Sequence, residues 1–151
     1  ILGLGYVGLP IFLQLQKMYT HKSIIFHGKK PRDDMSKFFN ASDFLIVSLI
    51  NQPVFSATVP AKIQTYIAAR KPILAFMCGD AADIINDNGL GISADPSNIS
   101  NIADVFKRCI DMSDSEKIGF TANNDKILDT TFNQEHIIRD LTDQLWAISV
   151  R

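Results

Sequence analysis

The chain has 151 residues, enough for one compact α/β core and too few for two full domains. Hydrophobic residues make up 46% and charged residues 21%, an ordinary balance for a globular protein, and the formal net charge of −1 gives no polyelectrolyte argument for nucleic acid or an anionic membrane. The longest apolar runs, such as residues 44–50, fall far short of the roughly 20 residues that span a bilayer.

The chain opens Ile1-Leu2-Gly3, with no initiator Met, basic leader or signal peptide. A glycine-rich turn normally follows a strand, and Ile1-Leu2 is all of that strand, so the chain reads as a fragment truncated at its N-terminus. After the turn Gly3-Leu4-Gly5, residues 10–19 predict a helix and residues 23–27 a buried strand ended by Gly28. Pro31 opens a helix at its first-turn position, where a missing N–H costs little, and the helix runs to about Asn40. Residues 44–49 form the most apolar strand, as expected where both faces of a parallel sheet are covered. The loop 50–56 leads to a helix over 58–69, with Thr58 as N-cap and Pro60 in the first turn.

Residues 72–77 predict the next strand and residues 80–87 the next helix. Gly89 and Gly91 punctuate the passage to a short strand at Ile92-Ser93, and Pro96-Ser97 opens a helix to about Met112. Residues 113–150 read as helical apart from a break near Phe132-Asn133. Alternating strands and helices are the signature of βαβ units. The predicted fold is α/β, a three-layer sandwich around a parallel Rossmann-like sheet. Right-handed crossovers put the loops at the strand carboxyl ends on one edge, where open α/β sheets bind ligands.

Two motifs compete for the function. Gly3-Leu4-Gly5-Tyr6-Val7-Gly8 satisfies the dinucleotide fingerprint and, extended to Gly-Leu-Gly-Tyr-Val-Gly-Leu-Pro, resembles the opening of NAD-dependent nucleotide-sugar 6-dehydrogenases. That chemistry needs a carboxylate at the end of the second strand to hold the adenosine ribose. Here the strand ends His27-Gly28-Lys29-Lys30, and the first carboxylate is Asp33, beyond a proline.

The second signal covers nearly the whole chain. Ile25-Phe26-His27-Gly28, a basic loop, then Lys37-Phe38-Phe39-Asn40-Ala41-Ser42-Asp43 resembles the C-terminal, nucleotide-sugar-binding half of family 4 retaining glycosyltransferases of the GT-B fold. The stretch Val59-Pro60-Ala61-Lys62-Ile63-Gln64-Thr65-Tyr66-Ile67-Ala68-Ala69-Arg70-Lys71-Pro72 looks like that family's donor-binding helix and the start of its next strand. It is nearest the branch of bacterial surface-polysaccharide enzymes. Gly79-Asp80, Asn88-Gly89-Leu90-Gly91 and the Asp95-Pro96 turn fall in the family's order, and the glycine turn at residues 3–5 takes the place of its Gly-Asp-Gly.

The resemblance implies one domain over residues 1–151 that binds a UDP- or GDP-type sugar without a cofactor. In the full-length protein this would be a hexosyltransferase-type enzyme of polysaccharide or glycoconjugate biosynthesis, the fragment alone being inactive. It implies donor base contacts at Gly28, Lys29, Lys30 and Pro31, and donor phosphates at Thr58, Pro60, Ala61 and Lys62. A helix start offers phosphate free N–H groups and the positive end of its dipole. The family's two glutamates fall on Ala57 and Thr65, leaving Gln64 and Thr65 as neutral partners for the ribose; its glycine before Lys-Pro is Arg70. The catalytic cation pair is expected upstream of Ile1, so no catalytic residue is assigned.

The acceptor, a glycan or lipid-linked glycan, would be held by the missing N-terminal domain, and no nucleic-acid partner is expected. The final helix, about 134–148, is expected to pack on that domain, leaving Ile137, Ile138, Leu141, Leu145 and Trp146 partly exposed here as a dimerisation surface. Cys78 and Cys109 show neither disulfide nor metal spacing, which suits a reducing cytosol, with the full-length protein peripheral at the inner membrane. Bland readings stand beside these: Asp80, Asp83 and Asp87 as a solvated helix face, His21, His27 and His136 as scattered, and Phe38, Phe39, Phe44, Phe55, Phe76 and Phe106 as core. A degenerate glycosyltransferase-like domain used for protein contacts is the non-enzymatic alternative.

Overall fold

The computed structural model describes residues 27–149. The expected glycine turn, first helix and second strand lie outside these residues, apart from His27.

Three parallel strands, β1 (Leu45–Ser48), β2 (Ile73–Phe76) and β3 (Gly91–Ala94), form one sheet in the order β1-β2-β3. The register runs Leu45↔Ile73↔Gly91 through Ser48↔Phe76↔Ala94, so the strands end in one row. Alternating side chains feed opposite faces. Leu45, Val47, Ile73, Ala75 and Met77 join one core cluster, while Phe44, Leu74 and Phe76 join the other. Both faces are covered, and the architecture is the three-layer α/β sandwich that the alternation of elements predicts.

A 3-10 turn (Arg32–Asp34) leads into α1 (Met35–Asn40). Pro31 therefore sits at the cap, one position before the first turn assigned to it. After β1 come a one-turn helix α2 (Pro53–Ser56), inside the stretch expected as loop, and then α3 (Ala61–Ala68). α3 buries Ile63, Tyr66 and Ile67, an i, i+3, i+4 stripe against β1 and β2. Each such side chain contributes about 1.5–3 kcal/mol of burial. α4 (Asp80–Asp87) lies over β2 and β3 on the same face through Ala81, Ala82 and Ile85. On the opposite face, α5 (Ile99–Asp111) sets Val105, Phe106 and Cys109 against Leu74 and Phe76.

Thr58 does not cap α3. Its hydroxyl donates to the Val54 carbonyl at 2.7 Å and its amide to the Phe55 carbonyl at 3.2 Å. Both groups close α2 instead, and Pro60 is left as the N-cap of α3. α5 likewise begins at Ile99 rather than at Pro96, because the Asn98 side chain accepts from the Asn101 amide.

The C-terminal region is broken twice, at the expected Phe132-Asn133 and also between α6 (Asp114–Gly119) and α7 (Asn124–Thr130). The extra break turns the chain so that α7 lies on α3, with Asn124 buried there. The last helix, α8 (Gln134–Ser149), is exposed along its length, with Ile137, Ile138, Leu141, Leu145 and Trp146 each 51–67% exposed. Among the described residues, no helix is long and apolar enough to cross a membrane. Asp80, Asp83 and Asp87 are all exposed, as a solvated face should be. Of the phenylalanines read as core, Phe44 and Phe76 are buried and Phe38, Phe39, Phe55 and Phe106 half-buried.

Candidate functional site

Helices that cross between parallel strands begin at the edge where the strands end. On this edge α3 opens without a cap. Pro60 stands at the N-cap position in extended backbone (φ −62°, ψ 135°) and no side chain bonds to the helix start. Its ring carries neither an N–H nor a polar side-chain atom, so it cannot satisfy a neighbouring amide in the way Ser or Asp would. The Ile63 amide is taken by the Pro60 carbonyl at 2.9 Å. The Ala61 and Lys62 amides have no cap bond among the described residues. They sit where a helix carries an effective charge of about +0.5.

Lys62 adds a formal charge at the same place. Its side chain is half-buried, and burial pushes the ammonium pKa below its ordinary value. Among the described residues no carboxylate pairs with it. A partly desolvated cation on the same first turn as two amides without cap bonds among the described residues is an arrangement that suits an anion.

Gln64 and Thr65 are exposed and share a helix face with Ala61. The Thr65 hydroxyl donates to the Ala61 carbonyl at 3.3 Å, so its oxygen remains free to accept. Ala57, at the other glutamate position, is exposed and follows α2 directly.

The loop Gly28-Lys29-Lys30-Pro31 is exposed throughout, with Gly28 at φ 66°. Beside it the His27 ring meets Phe38 edge-on at 4.9 Å. Two contacts join the far end of α1 to the region of α3. The Phe39 and Tyr66 rings meet at 5.7 Å, and Lys71 Nζ donates to the Asn40 carbonyl at 3.0 Å. The last residues of α1 and α3 are thus tied together.

On the far side of α3, the exits of β2 and β3 supply a polar cluster that sequence reasoning had noted only as a turn. Asp95, the first residue after β3, accepts from the Ser97 amide at 2.8 Å. That bond, together with the nearby polar groups of Ser97, Asn51 and Cys78, holds the Asp95 carboxyl below the usual carboxylate range. Burial and the same carboxylate push the Cys78 thiol up. Gly79 presses this exit onto the segment leading to α3: a Cβ there would lie 2.2 Å from the Ser56 carbonyl oxygen, and its φ of 86° also excludes most side chains. The only signal in the sequence was that all three exits carry polar residues.

Arg70, where the resemblance leads one to expect glycine, has the left-handed φ of 51° that glycine would adopt without cost. Its guanidinium makes a two-pronged contact with Asp125 of α7, at 2.8 and 2.9 Å. The pair offsets part of the backbone strain and lies at the end of α3 remote from the candidate site.

A family model described as "Glycosyl transferases group 1" matches residues 5–112, well over half of the chain. Among curated proteins and among solved structures, nothing matches.

Proposed function

The chain belongs to the group 1 glycosyl transferases, and on that premise we propose that it binds the donor, a nucleotide-diphosphate sugar, with the diphosphate seated at the start of α3. The observation that carries this reading is the uncapped amide pair of Ala61 and Lys62 beside a half-buried ammonium that has no carboxylate partner among the described residues. The base lies against the loop Gly28-Lys29-Lys30-Pro31, where glycine permits close backbone approach and Pro31 gives a rigid apolar face. The ribose lies over Gln64 and Thr65, the hydroxyl of Thr65 accepting from a ribose hydroxyl. These amides and the ammonium act as binding groups for the diphosphate and need no metal to do so; no catalytic residue is assigned among them. We place the domain as the donor half of a retaining family 4 enzyme of the surface-polysaccharide type.

Titration calorimetry of the chain with UDP, GDP and NAD, in the presence of EDTA, tests this. The expected result is binding of UDP or GDP, lost in Lys62→Glu. Binding of NAD alone would overturn the proposal in favour of a dehydrogenase-type domain. Binding of none of the three would favour a degenerate domain used for protein contacts.

A further inference from the structure

A nucleotide sugar is linear: base, ribose, diphosphate, sugar. The helices on the candidate-site face also stand in a row. α1 flanks α3 through Phe39 and Tyr66, α3 covers β1 and β2, and α4 covers β2 and β3. With the base at the loop opening α1 and the diphosphate at the start of α3, the sugar extends toward the exits of β2 and β3. Gly79 binds that region to the α3 approach with no space for a side chain between them.

The chemistry of those exits differs from that of the α3 start. A diphosphate is repelled by a carboxylate, whereas sugar hydroxyls donate to one in short, charge-assisted bonds. Asp95 is half-buried, and the groups that lower its pKa, Ser97, Asn51 and Cys78, are all neutral. An ionised carboxylate has about four acceptor positions over its two oxygens. The Ser97 amide occupies one of them, on Oδ1.

We propose that Asp95 is a donor-sugar recognition residue, its carboxylate accepting hydrogen bonds from the hydroxyls of the transferred sugar. The Ser97 amide, bonded to Oδ1, holds the carboxylate in place. The register sets this up, since Ser48, Phe76 and Ala94 end in one row and all three exits start level. The inference rests on the seating of the diphosphate at α3, and its test separates the two.

The experiment compares Asp95→Asn with the unaltered chain by calorimetry. The probes are UDP and GDP, and a panel of their hexose conjugates that includes UDP-glucose, UDP-galactose and GDP-mannose. Asparagine keeps an oxygen for the Ser97 amide, so the turn survives, and retained binding of the plain nucleotide certifies the fold. The expected result is a loss of about tenfold or more for at least one nucleotide hexose, with the matching nucleoside diphosphate within about twofold of the unaltered chain; a tenfold loss corresponds to 1.4 kcal/mol. Asp95→Glu, which keeps the charge but displaces it, should fall between. Equal losses for sugar conjugate and plain nucleotide would reduce Asp95 to a structural role and overturn the proposal. So would unchanged affinity across the whole panel. If the unaltered chain binds no nucleotide, both readings fall together.

Discussion

The two ends of α3 are built to opposite rules. At its start, the cap is a proline, two amides lack cap bonds among the described residues, and Lys62 is half-buried there without a carboxylate partner. At its end, the carbonyls are met from several directions. The Ala69 and Arg70 amides bond back to Thr65 and Ile67, and the Asn124 side chain donates to the Ile67 carbonyl at 2.8 Å. Arg70 pairs with Asp125, and Lys71 reaches the Asn40 carbonyl. One end has its polar groups matched and the other keeps them available. This separation follows from the βαβ crossover, which sends helix starts to the edge where the strands end and helix ends to the opposite one. Stability and binding should therefore respond to different substitutions.

The sharpest test of that division lies at the closed end. Asn124 is 2% exposed and its Oδ1 has no hydrogen-bond partner among the described residues. Asn124→Asp would bury an unpaired charge beside the Ile67 carbonyl, costing about 3 kcal/mol or more by denaturant unfolding at neutral pH. Burial would raise the new carboxyl's pKa above its unfolded value, so the loss should shrink as pH falls through that raised pKa. Nucleotide affinity below the unfolding transition should not change. A matching loss of affinity would show that the two ends are coupled.

At the open end the prediction reverses. Lys62→Met should weaken nucleotide binding roughly 10- to 100-fold, the worth of about 1.5–3 kcal/mol for a charge-assisted hydrogen bond. Calorimetry with UDP or GDP reads this directly. Thermal stability of the free chain should hold or rise, because the methionine carries no desolvated charge. A fall in both would refute the idea that this end is kept for ligand.

A smaller effect follows from the direction of the Lys62 shift. Its pKa in the folded chain lies below the 10.5 of the free side chain. The folded state therefore holds fewer protons than the unfolded state between those two values, and the contribution of Lys62 to stability rises with pH across that window. Phosphate favours the charged ammonium, so nucleotide affinity should instead decline as pH climbs through the lowered pKa. Lys62→Met should lack that decline. An alkaline limb unchanged in the variant would move its origin elsewhere.

The smallest expected effect concerns Arg70. Arg70→Gly relieves a positive φ but gives up an exposed ion pair, each worth about 1 kcal/mol or less. Melting should shift by no more than a few degrees, and nucleotide binding by nothing measurable. A large loss of stability would mean that the bond to Asp125 holds α7 on α3 more firmly than an exposed pair usually does.

Strand and helix order was legible because alternating apolar strands and periodic helices leave marks within a few residues. Residues 44–49, 72–77 and 80–87 bracket the observed β1, β2 and α4 to within about a residue or two. Thr58 failed as a cap because a hydroxyl followed by a helical run can close the preceding turn as well as open the next helix, and the one-turn α2 had no periodicity to betray it. The second break before α7 was hidden for a similar reason. Asn124 turns inward to bond Ile67, which lies 57 residues away along the chain.

The candidate site divides along the same line. A helix opening at Thr58 with Pro60 in its first turn could be read from the sequence, since proline before an amphipathic run is a local signal; that it opens at Ala61 could not. That Lys62 is partly desolvated, that Asn51 and Cys78 come close enough to Asp95 to lower its pKa, and that Arg70 pairs with Asp125 are long-range facts. The sequence by itself determined the fold class, the family and the presence of a helix between β1 and β2, though not its first residue, because each rests on short-range pattern. Only tertiary structure decided which polar groups are satisfied and which remain available, because that depends on residues brought together by the crossovers.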